Sequence, residues 1–222
     1  MSDARGVLRH AKHVLLDFDG PVCAVFGGVE DHAVAARLRG PLSEHGITVP
    51  DEVASATDPF SVLAFAATVD ESTACRTESA FRAEELDAVR SAPQTDHIDT
   101  LLKKLHAEGK SVSIVSNNSS AAVRRYAELR GLSPIVTDVV AREPADVARL
   151  KPNPYLVDLA IRRLGADPAD CVMIGDSLSD VQAAQAAAVP VIAFANKPGK
   201  RERFAATQAN AIVDRIADLI SD

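Results

Sequence analysis

Five short apolar runs punctuate this 222-residue chain: "HVLLDF" at 13–18, "SVSIVS" at 111–116, "IVTDVV" at 135–140, "CVMIG" at 171–175 and "VPVIAFA" at 189–195. Each is bounded by polar, glycine or proline residues, which predicts strands of a parallel sheet buried on both faces. Between the later runs lie amphipathic patterns. "DTLLKKLHAEG", "SAAVRRYAELRG" and "PYLVDLAIRRLG" end at Gly109, Gly131 and Gly165, suitable helix stops. From residue 96 onward strand and helix signals alternate. That alternation predicts an α/β fold with a doubly wound, mostly parallel sheet.

Residues 29–92 break the rhythm. Helix-like segments such as "EDHAVAARLRGPLSEHG" and "PFSVLAFAATVD" fill them, without a convincing strand. We read residues 27–92 as a helical unit inserted after the first strand, and residues 1–26 and 93–222 as the core. Gly27–Gly28 and "APQTD" at 92–96 are the expected linkers, suited to hinge motion. The insertion carries twelve acids, five arginines and no lysine, an imbalance as large as the net charge of −7 of the whole chain. Its arginines Arg76 and Arg82 read as exposed helix residues. Phe60, Leu63 and Phe65 read as the insertion's own core.

The acidic balance and the lack of a Lys/Arg-rich run argue against nucleic-acid binding, which needs a basic face. No window approaches the roughly 18 apolar residues of a membrane span. No leader with an apolar stretch and a small-residue cleavage site opens the chain. Cys23, Cys75 and Cys171 are few and widely spaced. They predict reduced thiols in the cytoplasm and no zinc site.

In a parallel sheet, ligands bind beyond the carboxyl ends of the strands. Asp17, Asp19 and Gly20 follow the first run. Ser116, Asn117 and Asn118 follow the second. Gly175, Asp176, Ser177 and Asp180 follow the fourth, and Lys151 lies in a loop before a helix. Carboxylates gathered at one locus repel unless a cation joins them. Oxygen ligands without His or Cys favour Mg²⁺ over zinc. A lysine, a hydroxyl and backbone N–H groups near Gly20 suit phosphoryl oxygens. A carboxylate can be the nucleophile, and a second one beside it an acid and base.

The ordered set D17-F-D19-G20, S116-N117, K151-P and G175-D176-S-L-S-D180 resembles the haloacid dehalogenase superfamily. The likeness covers nearly the whole chain. It implies a Rossmann-like core with a helical cap of the C1 type, close to phosphoglycolate phosphatase-like members. It also implies roles. Asp17 is the nucleophile and a ligand of Mg²⁺. Asp19 is the general acid and base, with its backbone carbonyl toward the metal. Ser116 bonds the phosphoryl group and Asn117 helps orient it. Lys151 neutralises charge on Asp17 and the phosphoryl group. Asp176 is a metal ligand, and Asp180 supports the metal directly or through Lys151.

An acid at position 19 argues against a haloacid substrate, because only a phosphate leaving group needs a proton. The lysine-free insertion argues against phosphonate hydrolysis through a Schiff base. The resemblance therefore implies a phosphatase of a small phosphorylated metabolite. A phosphomutase similar to β-phosphoglucomutase and a silent phosphate-binding regulator are the alternatives. One departure stands out. Related phosphatases commonly carry Thr or Val where this chain has Pro21, which has neither an N–H nor a hydroxyl to hold Asp19.

Overall fold

A computed structural model describes residues 3–27, 31–144 and 147–220. Gly28, one of the two expected linker glycines, lies outside them. The core is a six-stranded sheet: β1 (His13–Leu16), β2 (Ser111–Ser119), β3 (Val136–Arg142), β4 (Cys171–Gly175), β5 (Val191–Phe194) and β6 (Ala211–Val213). The order is β3-β2-β1-β4-β5-β6 and every pair is parallel. The helices around it are α1 (Ala4–His10), α6 (Ile98–Ala107), α7 (Ser120–Leu129), α8 (Tyr155–Leu164), α9 (Leu178–Ala186) and α10 (Lys200–Ala205). Four more, α2 (Asp31–Glu44), α3 (Asp51–Ala54), α4 (Pro59–Val69) and α5 (Glu71–Ala88), form an insertion between β1 and β2. The described part of that insertion contains no strand.

The strands are apolar throughout because both of their faces are covered. Val14 and Leu16 point into a cluster with Ile98, Leu101, Leu105 and Tyr126. Leu15 points the other way, into a cluster with Leu156, Val157, Met173 and Val181. α6, α7 and α8 stop at Gly109, Gly131 and Gly165, as expected. The insertion has its own core, with Val34, Leu38, Leu42, Val62, Leu63 and Phe81 buried. Phe60 and Phe65 pack against it only partly buried. No helix among the described residues is long and apolar enough to cross a membrane.

The chain runs from β1 outward through β2 to β3, then returns to place β4 on the other side of β1. That reversal makes a crevice at the carboxyl end of β1. The register aligns Leu16 with Ile114 of β2 and with Ile174 of β4. Asp17, Ser116 and Asp176 therefore emerge at neighbouring heights. The stretches flanking the insertion also pair with each other. Ala24 N–H donates to Pro93 O and Thr95 N–H to Val22 O, each at 3.0 Å.

Candidate active site

Asp17, Asp19, Ser116, Asn117, Lys151, Asp176 and Asp180 line one cleft of about 380 Å³. Lys151 is its centre. Its buried ammonium donates to Asp17 Oδ1 at 2.7 Å, to Asp180 Oδ1 at 2.5 Å and to the Val115 carbonyl at 2.8 Å. The loop that carries Lys151 is held by Asn117. That amide accepts from Lys151 N–H at 2.8 Å and donates to Lys151 O at 2.9 Å. Asn117 thus reaches the site chiefly by fixing the lysine.

Asp17 is 7% exposed. Burial pushes its carboxyl well above the ordinary range. The nearby Asp180 and Asp176 carboxylates add to the rise, and Lys151 opposes it. Burial works against the charge of Lys151 as well, but Asp17 and Asp180 outweigh it and hold the ammonium above the usual lysine range. The pair is a buried ammonium beside a carboxyl group that resists ionising.

Asp180 has two duties. One oxygen meets Lys151; the other accepts from Ser177 N–H at 2.9 Å and Ser177 Oγ at 2.6 Å, closing a capping box at the start of α9. A Cβ at Gly175 would overlap this carboxylate, so only glycine lets Asp180 turn inward. Gly20 plays the same part for Asp176. Its φ is +106° and a Cβ there would overlap the Asp176 carboxylate. Gly20 therefore makes room for a site carboxylate.

Asp19 lies in a tight turn after β1, where Gly20 N–H donates to Cys23 O at 2.7 Å. Val25 N–H donates to Asp19 Oδ1 at 2.8 Å, so a backbone group orients this carboxylate. A hydroxyl also reaches the turn, but from elsewhere in the chain: Thr95 Oγ1 donates to Gly20 O at 2.6 Å. Pro21 itself is buried. These contacts hold the turn without the side chain that proline lacks.

Three features were not foreseen from the sequence. Lys200, at the start of α10, donates to Asp176 Oδ2 at 2.5 Å and to Asp176 O at 2.7 Å, and Asn196 donates to the same Oδ2 at 3.0 Å. Asn196 directly follows the fifth apolar run, so the strand-end rule that found the acids also points to it, whereas Lys200 lies further on in the turn. Second, Asn118 links Ser116 to the insertion. Ser116 Oγ donates to Asn118 Oδ1, and Asn118 Nδ2 donates to Glu85 Oε1 at 3.0 Å. Third, Glu85 and Glu78 of α5 share Arg142, at the end of β3, at 2.6 and 2.9 Å. All three are buried, and the guanidinium lies 4.7 Å from the Phe81 ring centroid. The seven-residue spacing of Glu78 and Glu85 puts them on one helix face, the signal by which they are legible.

Asp17, Asp176 and Asp180 each offer an oxygen within 4.8 Å of the others. The donors are hard oxygens, and the five acids that line the cleft outnumber Lys151 and Lys200. Asp17 Oδ2 and Asp176 Oδ1 accept no hydrogen bond among the described residues. These residues fit a hard divalent cation such as Mg²⁺.

Fold and site define a class: a doubly wound α/β protein with a carboxylate–lysine centre at the crevice of its sheet. The family profile for haloacid dehalogenase-like hydrolases matches residues 11–188, and the chain belongs to that family. Phosphoglycolate phosphatase of Salmonella paratyphi A is 31% identical over 124 residues, which are 56% of this chain and 48% of that protein. The chain thus spans about half the length of such curated relatives. Among solved structures, a predicted phosphatase from Clostridium acetobutylicum matches with a TM-score of 0.73 at 20% identity, covering 95% of this chain and 96% of that one. CbbY from Rhodobacter sphaeroides, in complex with phosphate, matches with a TM-score of 0.69 at 18% identity, covering 94% and 99%. These likenesses agree with the parallel core and its helical insertion.

Proposed function

We propose that this protein is a Mg²⁺-dependent phosphatase that hydrolyses a small phosphomonoester through an aspartyl-phosphate on Asp17. The observation that carries the reading is the buried Lys151 ammonium shared by Asp17 and Asp180 in the cleft that also holds Asp19, Ser116 and Asp176. Membership of a hydrolase family and relatives named as phosphatases support it. Residues 27–92 act as the cap and residues 1–26 and 93–222 as the catalytic core. The three free cysteines are consistent with a reducing cytoplasm.

Asp17, Asp176 and Asp180 would hold Mg²⁺, with the Asp19 backbone carbonyl. Bound there, the ion supplies positive charge against the phosphoryl oxygens and keeps Asp17 ionised. An Asp17 oxygen attacks phosphorus while the bond to the leaving oxygen breaks. Asp19, as the acid, gives that oxygen its proton. Water then attacks the phosphoryl group on Asp17, Asp19 takes a proton from the water, and phosphate leaves with Asp17 restored. Ser116 and Lys151 bond the phosphoryl oxygens through both steps. Gly20, expected to bond the phosphoryl group, has its N–H and carbonyl taken within the turn and serves instead by leaving room for Asp176, and Asn117 keeps Lys151 in register.

The experiment is phosphate release from a panel of phosphorylated metabolites with Mg²⁺. The expected result is release that stops on chelation and in Asp17→Asn, whose circular dichroism stays native. Undiminished release by that variant contradicts the mechanism.

A further inference from the structure

We propose that the leaving group accepted by this cleft carries no negative charge, so that the substrates are phosphate esters of neutral or ammonium-bearing alcohols. The inference rests on the phosphatase reading above and adds which esters are taken. The insertion contributes two residues to the cleft, Asp58 and Phe60. Neither can hold an anion.

Among the described residues that line the cleft Lys151 is the one cation, and Lys200 beside it is held by Asp176. The three N–H groups of Lys151 already meet Asp17, Asp180 and Val115, and the phosphoryl group competes for them first. Four of the insertion's five arginines meet other partners. Arg37 grips Glu84 through two bonds, at 2.8 and 2.6 Å, and Arg39 donates to the Val53 and Ala56 carbonyls. Arg76 and Arg82 bond side chains of their own helix, α5. None of the five, Arg90 included, lines the cleft.

The start of α4 would ordinarily attract an anion. Here it is closed. Pro59 has no N–H, and Phe60 N–H is taken by Asp58 Oδ1 at 3.0 Å. Ser61 N–H is taken by Asp58 O at 3.1 Å. The helix end therefore presents a carboxylate to the cleft. A carboxylate or second phosphate on the leaving group meets Asp58 with no counter-charge. A hydroxyl can bond it, and an ammonium is attracted both by Asp58 and by the half-buried Phe60 ring.

The test compares kcat/KM for phosphoglycolate, glycerol phosphate and phosphoethanolamine with Mg²⁺, and p-nitrophenyl phosphate as a probe of phosphate release itself. Glycerol phosphate and phosphoethanolamine should exceed phosphoglycolate by about tenfold or more, the effect of one unmatched charge near a protein surface. Asp58→Asn keeps a competent helix cap. It should raise phosphoglycolate relative to phosphoethanolamine by about tenfold. Phosphate release with phosphoglycolate preferred, or with an unchanged ratio in Asp58→Asn, overturns this proposal and leaves the phosphatase reading standing. No release from any of the four, the probe included, overturns both.

Discussion

At the scale of single residues, Asp17 governs the behaviour of the site. Its carboxyl is pushed up by burial and by Asp180 and Asp176. Without metal, the folded state therefore holds a proton more tightly there than the unfolded chain, where an aspartate titrates near ~3.9. The resulting stability is fully present below that value and is lost as pH rises through the raised folded value. Lys151 is shifted upward too, so it stays charged throughout this window and adds no slope. Asp70, Asp99 and Asp214 are shifted down and give the opposite trend at acid pH. A difference measurement isolates Asp17. The urea midpoint of metal-free protein minus that of Asp17→Asn should fall as pH rises above about 4, and saturating Mg²⁺ should flatten it. A difference that is level or rises contradicts the account. The four carboxylates were legible because each follows an apolar run at a telling spacing. Lys200 was not, because "NKPGK" reads as a turn and its reach to Asp176 depends on the fold.

Between elements, α5 is fastened to the core by charge. Arg142 is 1% exposed and Glu85 fully buried, and Glu85 also accepts from Ser119 N–H at 3.0 Å. Removing one partner of such a group leaves an uncompensated buried charge. Arg142→Leu should cost about 3–5 kcal/mol, read as a lower urea midpoint. An unchanged midpoint would show that the cluster holds nothing together. The same bonds run through Asn118 to Ser116, so the insertion is tied to the site at this corner. Most elements could be read from the chain, because buried strands and amphipathic helices leave periodic patterns. Those of α1 and β6 were missed. Seven residues with Gly6 among them, and the three-residue "AIV", are too short to show a period. Phe60 was read as part of the insertion's core, and it also lines the cleft. Periodicity reports which residues are apolar; it does not say which of them sit at a rim.

For the whole molecule, topology does the assembling. Positions 17, 116, 151 and 176 are far apart in the chain. They meet because β1 is central, β2 and β4 flank it in register, and the loop before α8 folds back on Asn117. The insertion leaves and rejoins the core beside β1, where Cys23 and Gln94 pair, and its residues Asp58 and Phe60 reach the same cleft. Strand order was legible only as a class, since alternation predicts a doubly wound sheet without saying which strands are neighbours. The central claim is that this convergence makes Asp17 a phosphoryl acceptor. The direct measurement is a single turnover with a labelled phosphate ester and Mg²⁺, quenched in acid, with the label traced by peptide mapping. The account predicts transient label on the peptide containing Asp17, and none in Asp17→Asn. Turnover with no labelled enzyme at any quench time, or label on another residue, would contradict it.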